Sequence, residues 1–172
     1  IANGDDPQLL KRLRSRRFCL ITFGKSGDCD YRISNLRTTE DRVQFEVNRK
    51  HLFNLKGFGQ FNGMNALAAV AVAGHLNMDL DLLSRSWTEL PSIPNRFRIE
   101  QWPSHNLMIV DDSYNANPKS FEQAVESFKE IAANRRKIVV IGDMLELGSE
   151  GRKYHEALGC FLAKQNLDVL IA

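Results

Sequence analysis

Apolar positions in the first half of the chain fall in short runs broken by polar joints. YRISNLRTT (31–39), RVQFEVN (42–48) and HLFNLKG (51–57) each predict a strand with partial alternation, and RFCLITFG (17–24) predicts another running into a turn at Gly24. A helix over Pro7 to Arg16 precedes them. From Asn62 the pattern changes. NGMNALAAVAVAGHL is rich in Ala and Leu and lacks Pro, which predicts a buried helix whose small residues pack closely on a sheet. DLDLLSRSW (79–87) predicts an amphipathic helix, after which Pro91 and Pro94 break the chain and place a domain boundary.

Beyond Arg96 the order is strand (FRIEQW), strand (LMIVDD), helix (Ser120 to Ala133), strand (KIVVIG), helix (Glu150 to Gln165) and strand (DVLIA). Alternating strands and helices predict βαβ units, an α/β fold and a mostly parallel sheet. Ligands of such sheets gather at the carboxyl ends of strands, where Asp111, Asp112 and Gly142 to Glu146 fall.

Composition narrows the function classes. A chain of 172 residues with 43% hydrophobic content buries a real core, and 23 basic against 21 acidic residues leave +2, too little to argue for nucleic acid or a membrane surface. The basic run at Leu9 to Arg17 is expected to be a solvated helix face. Cys19, Cys29 and Cys160 form no CxxC pair, and neither they nor His51, His75, His105 and His155 show metal-ligand spacing. A reducing cytoplasm fits, and no protein-built metal site is expected. No run approaches the roughly 20 apolar residues of a membrane span. The first residue, Ile1, and the last run, LDVLIA, suggest a fragment.

Several short segments carry candidate chemistry. FGKSG (23–27) matches the last three positions of a phosphate-binding P-loop at Gly24, Lys25 and Ser26, but Cys19 stands where the loop needs glycine, so an ordinary turn is expected. In GQFNGMNALAA (59–69), Asn62 and Asn65 are three apart at a helix start and share a face. Their amides can read the N6/N7 edge of adenine; alternatively Asn62 is an N-cap and Asn65 bonds locally. In IPNRF (93–97), Arg96 offers a charge that forks onto two phosphate oxygens. IVDDSYNANPKS (109–120) is an apolar strand ending in two carboxylates, then a polar loop and a helix restarting near Pro118; taken singly, Asp111 also reads as an ordinary strand-end residue and Asn117 as a helix cap. IGDMLELG (141–148) repeats that pattern. Asp143 and Glu146 there are expected to be solvated or domain-contact residues, and His155 to be structural.

DDSYNANP together with GDMLELG resembles the signature of the MurF type of Mur ligase. GQFNGMNALAA resembles the adenine-contacting helix start of the family, with Phe61 where many members have His; IPNRF resembles its PGR segment, with Asn95 for the usual Gly; NGDDP resembles its NxDD stretch. The resemblance implies the second half of a central ATP-binding domain over 1–93 and most of a Rossmann-like carboxyl-terminal domain over 94–172. It implies ATP contacts at Asn62, Asn65, Arg96 and Asp112, and a substrate cleft lined by Tyr114, Asn115 and Asn117. What the family does follows as an expectation: a monomeric cytoplasmic enzyme joins D-alanyl-D-alanine to UDP-N-acetylmuramoyl-tripeptide, using ATP and Mg²⁺, through an acyl phosphate and a tetrahedral intermediate. No catalytic residue is assigned here. The family's P-loop, Mg²⁺ ligands and modified lysine have no counterpart in these residues, so the isolated piece is expected to be inactive. Another amide ligase of the superfamily, or a non-catalytic nucleotide-binding module, are the alternatives.

Overall fold

A computed structural model describes residues 1–15, 19–39, 41–91 and 93–172. The chain divides into two compact units, Ile1–Pro91 and Ser92–Ala172.

In the first unit, β1 (Ala2–Asn3), β2 (Thr22–Gly24), β3 (Tyr31–Thr38), β4 (Arg42–Val47) and β5 (His51–Lys56) form one sheet in sequence order. The β1–β2 and β2–β3 pairs are parallel and the other two antiparallel. The turn after β4 holds Asn48 and Arg49 at φ 53° and 57°, the sense of twist that a tight hairpin requires. Helix α1 (Pro7–Leu13) starts at Asp6, whose carboxylate accepts the Leu9 amide. It is shorter than the predicted helix, whose Arg16 lies outside the described residues. The predicted strand RFCLITFG shrinks to Thr22–Gly24, because β1 offers a partner only to Thr22 and Phe23; Arg17 and Phe18 lie outside the described residues.

Helix α2 (Gln60–His75) lies on this sheet, and α3 (Leu80–Ser86) follows with Asp79 as N-cap. Alternation on β4 buries Val43, Phe45 and Val47, which meet Ile33, Phe53, Leu55, Ala66, Leu67 and Val70 in one core. The Phe45 and Phe53 rings stack at 5.2 Å. Each fully buried large side chain there stabilises the unit by about 1.5–3 kcal/mol. Gly63 makes the close approach possible: a Cβ there would meet a Leu36 methyl at 2.5 Å.

In the second unit, β6 (Arg98–Trp102) and β7 (Leu107–Asp111) pair antiparallel, and β8 (Ile138–Val140) and β9 (Val169–Ile171) pair parallel. Helix α4 (Pro118–Ala132) lies between β7 and β8 in sequence, and α5 (Gly151–Leu162) between β8 and β9. The α/β class holds, but the mostly parallel single sheet does not: among the described residues there are two separate pairs. Only a short turn at Pro103–Asn106 joins β6 to β7, which forces antiparallel pairing, whereas α5 gives β8 and β9 the crossover a parallel pair needs. Val125, Met144, Leu158 and Leu162 form the core, with Phe121, Ile141 and Phe161 packed against it.

Candidate functional site

The turn Ile93-Pro94-Asn95-Arg96 closes when the Arg96 amide donates to the Ile93 carbonyl at 3.2 Å. Proline's fixed φ suits the second position of such a turn. The third requires positive φ, and Asn95 adopts 60°, a conformation asparagine tolerates better than other residues with a side chain.

This turn is tied to the segment that leaves β7. Asn95 Nδ2 donates to Asp111 Oδ2 at 3.3 Å and to Ser113 Oγ at 3.0 Å, and the Asn95 carbonyl accepts the Tyr114 amide at 3.0 Å. One residue further on, Asp112 Oδ1 accepts the Phe97 amide at 2.9 Å. Phe97 is buried and has φ 49°, strained for a bulky residue by about 1–3 kcal/mol, so this bond helps hold an unfavourable backbone in place. The Arg96 guanidinium lies 4.0 Å from the centroid of the Tyr114 ring, a cation–π contact. With Tyr114 66% exposed, that contact contributes about 0.5–1 kcal/mol and leaves the guanidinium edges open to a ligand.

Asp112 is the electrostatic centre of this cluster. Burial pushes its carboxyl above the usual range; the Phe97 amide and the Arg96 charge oppose the shift, and Asp111 adds to it. Asp112, Arg96 and Tyr114 are therefore brought together. Asn115 is exposed beside them. Asn117 is committed to the fold: its side-chain oxygen accepts the Ser120 amide at 2.9 Å and Ser120 Oγ accepts the Asn117 amide at 3.3 Å, a capping box that starts α4 with Pro118 in its first turn.

The GDMLELG loop is held by a histidine. His155 Nε2 accepts the Met144 amide at 3.0 Å while Nδ1 lies 2.8 Å from the Gly151 carbonyl, so the proton sits on Nδ1 and the ring is a strut between loop and helix. Asp143 and Glu146 are exposed, with Asp143 3.8 Å from the His155 ring.

In the first unit the two asparagines separate in role. The N-cap of α2 is Gly59, whose φ of 79° favours glycine, so Asn62 is not the cap; its Nδ2 donates back to the Phe58 carbonyl at 2.6 Å. Asn65 is exposed a turn later, and its amide has no hydrogen bond among the described residues. An open depression of about 480 Å³ lies at the other end of α2, lined by Asp30, Tyr31, Asn48 and His75, away from both asparagines.

The GKS turn is closed by the protein itself. Asp5 accepts the Lys25 amide at 2.8 Å and the Ser26 amide at 2.9 Å, so a carboxylate fills the place a phosphate takes in a P-loop. Asn3 Oδ1 accepts the Asp5 amide and Asp6 caps α1, giving all three polar side chains of NGDDP a structural task. The structural parts of two residues escape a sequence reading: Asp5, whose partners are 20 and 21 residues away, and Asn95, signalled only by its place after proline in a turn. Among the described residues, no group of three or more His, Cys, Asp or Glu side chains is placed to hold a metal ion. No helix among them is long and apolar enough to cross a membrane.

The two α/β units match two domain models of one ligase family in chain order: the Mur ligase middle domain matches residues 1–73 and the Mur ligase, glutamate ligase domain matches residues 95–172. The chain belongs to the Mur ligase family. It is similar to UDP-N-acetylmuramoyl-tripeptide--D-alanyl-D-alanine ligases: 26% identical to that of Bacillus subtilis over 96% of this chain and 35% of the relative, and 37% identical to that of Escherichia coli over 78% and 30%. A crystal structure of MurF from Acinetobacter baumannii superposes with a TM-score of 0.81 at 26% identity, covering 97% of this chain and 36% of that one. The chain thus spans about a third of the length of these relatives.

Proposed function

We propose that this chain is part of an ATP-dependent ligase that adds D-alanyl-D-alanine to UDP-N-acetylmuramoyl-tripeptide through an acyl phosphate, in peptidoglycan synthesis and hence in cell-wall biogenesis, cell shape and division. The observation that carries the reading is that the Ile93–Arg96 turn ahead of β6 is tied to the start of DDSYNANPKS after β7, which brings Arg96, Asp112 and Tyr114 together. The names of the sequence relatives support the two substrates. The proposed enzyme is a cytoplasmic monomer whose nearly neutral charge gives no purchase for nucleic acid.

Each unit, taken by itself, offers a group suited to part of ATP: Arg96 in the second an open, permanently charged fork for phosphate, and Asn65 in the first an unpaired side-chain amide for the adenine edge. ATP supplies the phosphoryl group that activates the acceptor carboxylate, and Mg²⁺ enters with its phosphates. Asp112 fixes the backbone beside Arg96, and Tyr114 supports the guanidinium from one face. Tyr114 and Asn115 are the exposed residues proposed to meet the peptide substrates; Asn117 contributes through the start of α4. The domain division proposed is 1–93 and 94–172.

The test uses the full-length protein that carries this segment. Phosphate release from ATP should require both UDP-N-acetylmuramoyl-tripeptide and D-alanyl-D-alanine, and mass spectrometry should find the pentapeptide product. Release that depends instead on a single amino acid would transfer the assignment to another ligase of the family, such as the diaminopimelate-adding enzyme of Listeria monocytogenes, to which the chain is 25% identical.

A further inference from the structure

We infer that Asn95 is a positioning residue for ATP use, acting through Arg96; this rests on the proposed role of Arg96 toward the nucleotide phosphates. Arg96 leaves the backbone between two residues with positive φ, Asn95 at 60° and Phe97 at 49°. A segment of that shape has no regular hydrogen-bonding pattern to fix it, so the direction of the Arg96 side chain depends on what anchors its neighbours. Phe97 is anchored by Asp112. Asn95 is anchored three times over: its amide group bridges Asp111 and Ser113, and its carbonyl takes the Tyr114 amide. The last bond also places the ring on which the Arg96 guanidinium rests. Glycine at position 95 keeps the turn and the carbonyl bond but loses the bridge. The bridge therefore adds to the turn a lock on the Asp111–Tyr114 segment, and holds Arg96 and Tyr114 in register.

The experiment is a double-mutant cycle in the full-length enzyme, with KM for ATP and kcat as separate readouts. Asn95→Gly should fold, since glycine accepts φ 60°, and should raise KM for ATP about five- to tenfold, with a smaller effect on kcat. Asn95→Asp should be worse than Asn95→Gly, because it replaces the donor facing Asp111 with a second carboxylate. Arg96→Ala should raise KM for ATP at least as much, and adding Asn95→Gly to it should have no further effect, the mark of one residue acting through the other. Additive effects in the double variant, or an Asn95→Gly enzyme with unchanged KM while Arg96→Ala is impaired, overturn the positioning role and leave the ATP role of Arg96 standing. An unchanged KM in Arg96→Ala overturns that ATP role itself, and the inference with it.

Discussion

Asp112 accepts the backbone amide of Phe97 at 2.9 Å, and that amide belongs to a buried residue with left-handed backbone. The bond needs an oxygen and not a charge, while burial disfavours the charge and raises the carboxyl above its usual range. From the ordinary aspartate value of 3.8 upward to the raised one, the folded protein holds more protons than the unfolded chain, so the Asp112 contribution to stability falls as pH rises through that window. Asp112→Asn keeps the acceptor and removes the titration. Urea midpoints measured from the ordinary aspartate value upward should therefore show the variant gaining on the wild type as pH rises. Parallel curves would show that burial of the charge is without consequence. In the full-length enzyme, Asp112→Ala should lose both the bond and efficient ATP use.

The Asp5 carboxylate closes the GKS turn, which leaves its amides no capacity for phosphate. Lys25→Ala in the full-length enzyme should therefore leave KM for ATP within about twofold of wild type. Asp5→Ala should cost about 1–3 kcal/mol of stability by withdrawing a charged acceptor from two amides. Thermal unfolding and phosphate-release kinetics separate the two variants, and a large KM change in Lys25→Ala would make this turn a nucleotide contact against the expectation of an ordinary turn.

Most elements of both units were legible because their signals are local. Alternation in RVQFEVN follows from one face of β4 meeting the core, and the Ala-rich run at 62–76 matches a helix close to a sheet. Pairing was less legible: alternating strands and helices beyond Arg96 pointed to a parallel sheet, whereas the short Pro103–Asn106 connection, a local feature, pairs β6 and β7 antiparallel. At the site, the run from Asp111 to Asn117 announced itself as a block, and of its members the cap at Asn117 was legible singly while the part of Tyr114 was not. Asn117 became a cap because Ser120 stands three residues on, while Tyr114 stayed exposed and took Arg96 on its face. The part of Asn95 was invisible for the same reason as that of Asp5, since hydrogen bonds spanning 16 to 21 residues leave no periodic trace.

His155 holds the GDMLELG loop by accepting the amide of Met144, whose residue is 3% exposed. His155→Ala leaves that amide without its partner, at a cost of about 1–3 kcal/mol. His155→Gln offers an acceptor from a longer, flexible side chain and should recover part of the loss. Thermal unfolding should rank wild type, then Gln, then Ala, with KM for ATP moving little because the ring is a strut; Gln and Ala variants as stable as wild type would remove the histidine from the structural role.

Asn62 and Asn65 start from the same expectation and end in different chemistry. Asn62 spends its amide group on the Phe58 carbonyl at 2.6 Å, in the residues leading to the Gly59 cap, so it secures the entry to α2. Asn65, exposed a turn later, is the residue proposed to contact adenine. Removing each side chain should thus give opposite signatures. Asn62→Ala should lower the unfolding temperature, losing a part-buried hydrogen bond worth about 0.5–1.5 kcal/mol, and weaken ATP use only as far as the helix start loosens. Asn65→Ala should leave the unfolding temperature unchanged, since alanine suits a helix at least as well, and raise KM for ATP in the full-length enzyme by about tenfold through the lost adenine contact. Unfolding curves and ATP kinetics on the same two variants decide it: unchanged ATP kinetics in Asn65→Ala would remove the adenine contact from this helix.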